Sequence, residues 1–233
     1  PPHHVLIPAY DPTDMSRPRA YLRDSLDGSP VLINGKEEKY PLVPKENPDG
    51  TNKALVGLNA LSRFKDLSGI VYAEGWKDAL AAMAAGLPAV ANSHGAGSWD
   101  DDWLAFFKGK TVWIVFDADE TGVRCGRRHA ERIAVVAHEC RIVRLPYEVV
   151  PKHGKDLHDY IREDKHTKEE FYALLDGVEL VKRPAGSEAK EVPAETSKQL
   201  PDDYPDTIAA QVLLDLSRPL KYNIRDGWTV YEG

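Results

Sequence analysis

The sequence predicts an α/β protein with a central mainly parallel sheet flanked by helices, preceded by a small mixed α+β subdomain. Its α/β class rests on three observations. From Gly69 onward, short apolar runs alternate with helix-like segments, and strands separated by helical crossovers imply parallel pairing with right-handed connections. Two of the apolar runs stop on acids, at Glu74 and at Asp117. The first sixty residues instead carry short runs broken by Pro and Gly, the pattern of antiparallel strands.

Taken in order, "VLIPAY", "RAYLRDSL" and "SPVLINGKEEKYPLVP" supply those first short strands. "GIVYAEG" reads as a buried strand, and "WKDALAAMAAG" as an alanine-rich helix stopped by Gly86. "LPAVANSHGAG" gives a strand and a glycine loop, and "WDDDWLAFFKG" a helix whose acids at 100–102 suit its first turn. "TVWIVFDAD" is the next strand, because its β-branched and aromatic run is punctuated by Gly109 and Gly122. A helix is expected over 122–138, then a strand at "CRIVRLP", a polar loop, and a helix at "TKEEFYALLDG" opened by the capping-box pair Thr167 and Glu170. The expected division is residues 1–66, 67–182, a Pro/Glu/Lys-rich linker at 183–205, and the start of a further module at 206–233.

Composition narrows the function classes. With 42% hydrophobic residues the chain can build a core, and no apolar run nears the ~20 residues of a membrane helix. The start "PPHHVLIPAY" has no signal-peptide layout, so a cytoplasmic protein with no membrane partner is expected. Cys125 and Cys140 lack zinc or disulfide-framework spacing and read as reduced structural residues. A net charge of -7 argues against coating nucleic acid by bulk electrostatics. Arg124, Arg127, Arg128 and Arg132 still place a basic stripe on one helix, which fits either a binding surface or a solvated face.

In a parallel sheet, Glu74, Asp117 and Asp119 fall at strand carboxyl ends on one edge, where ligands approach. Two like charges 4 Å apart repel by roughly 4 kcal/mol at an effective dielectric near 20, so such a cluster needs protons or a divalent cation. All-oxygen ligands favour Mg2+ or Mn2+, and with them phosphoryl chemistry.

"VYAEGWKDALAAMAAGLPAVA", "FDADETGVRCGRRHA" and "GKDLHDYIRED" resemble the successive motifs of the Toprim domain, the catalytic fold of bacterial and phage primases, topoisomerases and some nucleases. The resemblance spans residues 69–177, and "KDLHDYI" followed by a helix is most similar to primases, as are "IPAYD" and "KYPLVP" upstream. It implies that Glu74 is general base or metal ligand, Asp117 and Asp119 a chelating pair, and Asp156 a further metal-side acid. It implies phosphate contacts for Lys77 and Lys155, and a triphosphate or template backbone for Arg124, Arg127 and Arg128. Gly95 and Gly97 fit two readings, turn residues or a close approach for phosphate. Asp78 is read as a helix-start residue, His94, His153 and His158 as loop polar groups, and Trp76 and Trp103 as packing; Asp159 fits a cap or a ligand.

Implied is a primase catalytic region of a phage, plasmid or other mobile element, joining ribonucleotides on single-stranded DNA from nucleoside triphosphates. The cysteine-rich zinc module usual upstream in bacterial primases is missing from the sequence. "LKYNIRDGWTVYEG" resembles the region ahead of the helicase in primase-helicases, and the first residue is not Met. A fragment is therefore expected, with a replicative helicase in the same chain or in trans. The rival readings are a Toprim nuclease using the same acids on water, and a catalytically silent DNA-binding or assembly module.

Overall fold

The computed structural model describes residues 4–25, 31–33, 36–37, 42–43, 54–183, 220–223 and 227–230. Strands β1 (His4–Tyr10), β2 (Ala20–Ser25), β3 (Leu32–Ile33), β4 (Lys36–Glu37), β5 (Leu42–Val43) and β6 (Leu55–Val56) precede a 3-10 turn at Leu58–Arg63. Then come β7 (Gly69–Ala73), α1 (Trp76–Ala84), β8 (Ala89–Asn92), α2 (Trp103–Phe107), β9 (Thr111–Val115), α3 (Glu120–Ile133) and β10 (Glu139–Ile142). A π-helical turn at Asp159–Glu163, α4 (Lys168–Leu174) and β11 (Glu179–Leu180) follow. Strands β12 (Leu220–Asn223) and β13 (Gly227–Val230) form a separate antiparallel pair.

Nine strands form one sheet in the order β11-β10-β9-β7-β8-β6-β1-β2-β5. Its centre, β10-β9-β7-β8, is parallel, as alternating strands and helices require. The antiparallel strands of the first sixty residues continue that sheet through the β6–β8 pair, in which Val56 stands opposite Ala91. β3 and β4 make a pair of their own. Of the linker read at 183–205 only Arg183 lies inside the described residues, and of the last module only β12 and β13.

Side chains alternate between two layers, as the period of a strand dictates. Ile70, Tyr72, Val112 and Ile114 face one way, into a cluster with Phe107 of α2 and Ala130 and Ile133 of α3. Val71, Ala73, Trp113 and Val115 face the other way, against the alanines and Met83 of α1, Tyr160 of the π turn and Phe171 of α4. The alanine-rich sequence of α1 thus lets that helix lie close to the sheet. A third cluster, Ile7, Ala9, Leu22, Ala54 and Val56, backs the antiparallel half. No described helix is long and apolar enough to cross a membrane.

Several boundaries differ from the sequence reading. α3 starts at Glu120, because Asp119 caps it, and ends at Ile133, where turns replace the last helical residues. Helix α2 is confined to Trp103–Phe107, since the 100–102 acids make the turn ahead of it rather than its first residues. The capping box at Thr167 forms as expected: Glu170 N donates to Thr167 Oγ1 at 3.2 Å, and Thr167 N donates to Glu170 Oε2 at 2.7 Å. Cys125 and Cys140 are both free and buried.

Candidate active site

β7 and β9 are parallel neighbours with Ala73 opposite Val115, so Glu74 and the residues 116–117 leave the sheet side by side at its carboxyl edge. Their helices α1 and α3 pack on opposite faces. Where crossovers diverge in this way, an open α/β sheet has a crevice for ligands.

Close packing builds the turn after β9. A Cβ on Gly122 would stand 2.3 Å from the Asp117 carbonyl oxygen, and one on Gly154 would stand 2.1 Å from that of Ala118. No other residue fits at either place without moving backbone. Gly122 lets α3 begin directly behind the turn, and Asp119 caps that helix by accepting from Gly122 N at 2.8 Å. Gly154 lets the 150–156 loop lie along the same turn. Ala118 N donates to Lys155 O at 2.9 Å, Val150 N to Ala118 O at 3.0 Å, and Glu120 N to Val150 O at 3.0 Å. This stitching brings Asp156 to the strand ends, far from them though it is in the chain.

One carboxylate oxygen from each of Asp78, Asp117 and Asp156 lies within 4.8 Å of the other two. Asp78 is 5% exposed and accepts from Gly75 N at 3.0 Å and from His158 N at 2.9 Å. Glu74 borders the cluster, with its Oε2 accepting from Asp117 N at 3.4 Å. Burial, and then the charges of Glu74, Asp78, Asp156 and Asp119, push the Asp117 carboxyl up to about 8. Burial and then Asp156 push Asp78 up to about 8, and burial raises Asp156 as well. Among the described residues no lysine or arginine pairs with Asp78, Asp117 or Asp156. The same excess of negative charge that holds protons here would hold a hard divalent cation, and every donor is oxygen. Asp156, His158 and Asp159 form a second group within 4.8 Å. In it Asp156 N donates to Asp159 Oδ2 at 3.0 Å and Asp159 N to Asp156 Oδ1 at 2.7 Å.

The structure therefore gathers Glu74, Asp117 and Asp156 and adds Asp78, while Asp119 stands just behind them, 9% exposed, with one oxygen on the α3 N-terminus. The sequence reading passed over Asp78 as a helix-start residue. Its place in the first turn of α1, directly behind the strand end that carries Glu74, was the available signal. The expected phosphate-binding cations are distributed differently. Lys77 pairs with Asp24 at 3.5 Å, and Arg127 pairs with Glu179 of the edge strand β11. Lys155 donates to both oxygens of Asp164, at 3.1 and 2.8 Å, beside Tyr147, which donates to the same carboxylate at 2.6 Å. Arg128 donates to Gly97 O at 2.8 Å, and Arg124 is exposed on the same helix. Gly95 and Gly97 lie open to solvent, with nothing within 4 Å of where a Cβ would stand.

An α/β domain whose central strands end in a half-buried acidic cluster suited to a divalent cation is the class of protein that fold and site define. Residues 71–161 match the family described as Toprim-like. Solved structures share its fold. The Aquifex aeolicus primase, as zinc-binding and RNA polymerase domains, matches with a TM-score of 0.55 at 22% identity, covering 77% of this chain and 41% of that one. A DNA primase domain from Pseudomonas aeruginosa gives 0.55 at 22%, over 76% and 52%. A DnaG primase catalytic domain bound to single-stranded DNA gives 0.54 at 20%, over 76% and 54%. The chain spans about half the length of these structures, or less. No curated protein matches the sequence.

Proposed function

We propose that this chain is the catalytic region of a DNA primase, which makes short RNA primers on single-stranded DNA by metal-dependent nucleotidyl transfer. The observation that carries the reading is the convergence of Asp78, Asp117 and Asp156, with Glu74 beside them, at the carboxyl edge of a sheet built like a primase catalytic core. Asp78, Asp117 and Asp156 would hold Mg2+ or Mn2+, which when bound supplies charge neutralisation for phosphoryl transfer. Glu74, which accepts a hydrogen bond from Asp117 N, would in this reading take a proton from an attacking 3'-hydroxyl. Asp119 holds the turn that carries Asp117 by anchoring the start of α3. The buried sheet behind the cluster keeps water from one side of it, so charges there interact more strongly than at an open surface.

The substrates in this reading are nucleoside triphosphates and a single-stranded DNA template, in a phage, plasmid or other mobile-element context, with a replicative helicase as partner in the same chain or in trans. The test uses purified protein, single-stranded templates of varied sequence, four ribonucleoside triphosphates and Mg2+ or Mn2+, with products resolved on a gel. Template-dependent short products are expected. Degradation of labelled DNA without triphosphates would support a nuclease instead, and neither product would leave a silent binding module.

A further inference from the structure

The glycine loop that follows β8 is held from inside by its carbonyl groups. Asn92, 2% exposed, donates through Nδ2 to Gly95 O at 2.9 Å and to Ser98 O at 2.7 Å, and its Oδ1 accepts from His94 N at 2.8 Å. Arg128 of α3 donates through Nη2 to Gly97 O at 2.8 Å. His129, the next residue, is fully buried. Its Nδ1 is hydrogen-bonded to the Tyr72 hydroxyl at 3.1 Å, its ring stacks on Tyr72 with centroids 5.7 Å apart, and the Trp99 ring meets it edge-on at 5.0 Å. Its Nε2 is buried and has no hydrogen-bond partner among the described residues.

With the carbonyls drawn inward, the N–H groups of Gly95, Ala96 and Gly97 donate to no other described residue. Main-chain donors in such a place are as a rule paired, and consecutive N–H groups in a turn make a concavity for an anion. Ala96 is 7% exposed, yet the glycines on either side have open space above them. Arg124, one helical turn before Arg128, is exposed and has no ion-pair partner among the described residues. The loop stands at the same edge as the acids, since Ala91 of β8 is opposite Ala73 of β7.

We propose that the main chain of residues 95–97 and the Arg124 guanidinium form a seat for a phosphate group, with Asn92 and Arg128 as positioning residues that keep the loop carbonyls turned inward. The inference rests on the primase reading in naming where a phosphate of a nucleoside triphosphate or of the template backbone would lie. A guanidinium beside main-chain donors suits phosphate oxygens through charge-assisted hydrogen bonds. The two sources share this chemistry, and the experiment separates them.

Amide resonances of the isotope-labelled full chain are followed without metal, at constant ionic strength, in two titrations: one with inorganic tripolyphosphate and one with oligothymidylate. Saturable movement of Gly95, Ala96 and Gly97 is expected in at least one, and the tighter titration identifies the source. Arg124→Ala weakens binding roughly tenfold. Arg128→Lys, which keeps the charge but loses the planar fork to Gly97 O, weakens it severalfold. Arg63→Ala, changing an exposed charge ahead of the amino end of β7, leaves it unaltered. Unmoved loop amides in both titrations would overturn the seat, as would Arg63→Ala weakening binding as much as Arg124→Ala. Wild-type affinity in Arg128→Lys would overturn the positioning role. Because neither titration needs metal or synthesis, a negative result here leaves the primase reading standing, and a failed synthesis assay leaves the seat standing.

Discussion

The acids at the carboxyl edge of β7 and β9 and the bases around them follow opposite rules. Asp78, Asp117 and Asp156 crowd together, the first buried and the other two half-buried, without cationic partners among the described residues. Lys77, Arg127 and Lys155 each pair with an acid elsewhere, Asp24, Glu179 and Asp164. A site that evolved only for stability would have exchanged these partners, because buried like charges are costly and exposed ion pairs contribute little. The difference teaches that the cluster holds an unmet demand for positive charge, while most of the nearby bases serve the frame.

The largest effect should come from removing that demand. Asp117→Asn is expected to abolish synthesis and to weaken Mn2+ binding by at least tenfold, while raising the melting temperature of the metal-free protein at pH 8 by a few degrees. The sign follows from the raised carboxyl. The folded state holds a proton that the unfolded state has lost, so metal-free stability falls as pH rises from about 4 towards about 8. Mn2+ must displace that proton, so affinity grows over the same range, and calorimetry in buffers of different ionisation enthalpy would show proton release. Asp119→Ala provides the contrast: loss of the α3 cap should lower stability by about 1 kcal/mol. A melting temperature that falls in Asp117→Asn and rises in Asp119→Ala would invert the comparison.

A second, smaller effect concerns His129, the buried base next to the basic stripe. Burial, and then the charges of Arg128 and Arg132, hold its imidazole down at about 4. The folded state keeps it neutral while the unfolded state takes up a proton near pH 6.5, so stability is present above that pH and falls as pH drops towards 4. The gap corresponds to about 3 kcal/mol. Urea titrations between pH 7 and pH 4 should show this slope in the wild type and its loss in His129→Gln, once the variant's lower baseline is taken into account.

The smallest effect separates neighbouring arginines. Arg127 and Glu179 are about two-fifths exposed, so Arg127→Ala should lower stability by no more than about 1 kcal/mol. Arg124→Ala should leave stability unchanged but lower the log-log salt slope of single-stranded DNA binding by about 0.7. Equal salt slopes in the two variants would mean that the pairing with Glu179 does not distinguish Arg127 from Arg124.

Much of the central sheet was legible because local chemistry and fold agree there. "GIVYA" and "TVWIV" are β-branched and aromatic runs buried on both faces, and a parallel sheet requires that pattern. The antiparallel half was less legible. Strands of two residues, such as β5 and β6, carry no period to read, and their membership of the central sheet depends on pairing with β8, distant in the chain. Asp78 does sit in the first turn of α1 and accepts from Gly75 N, as its position implied, but its nearness to Asp117 and Asp156 depends on residues distant in the chain.

By itself the sequence determined which residues end the central strands and which glycines follow them, because strand period and turn chemistry act over a few neighbouring residues. Glu74, Asp117 and the Gly122 that lets α3 begin are of this kind. Only the tertiary structure decided which charges meet. Asp156 joins Asp78 and Asp117 through main-chain bonds between the 150–156 loop and Ala118, and Lys155, its immediate neighbour, turns instead to Asp164. Adjacent residues can thus have opposite fates, because electrostatic partners are chosen by distance in space, and only the packed chain sets that distance.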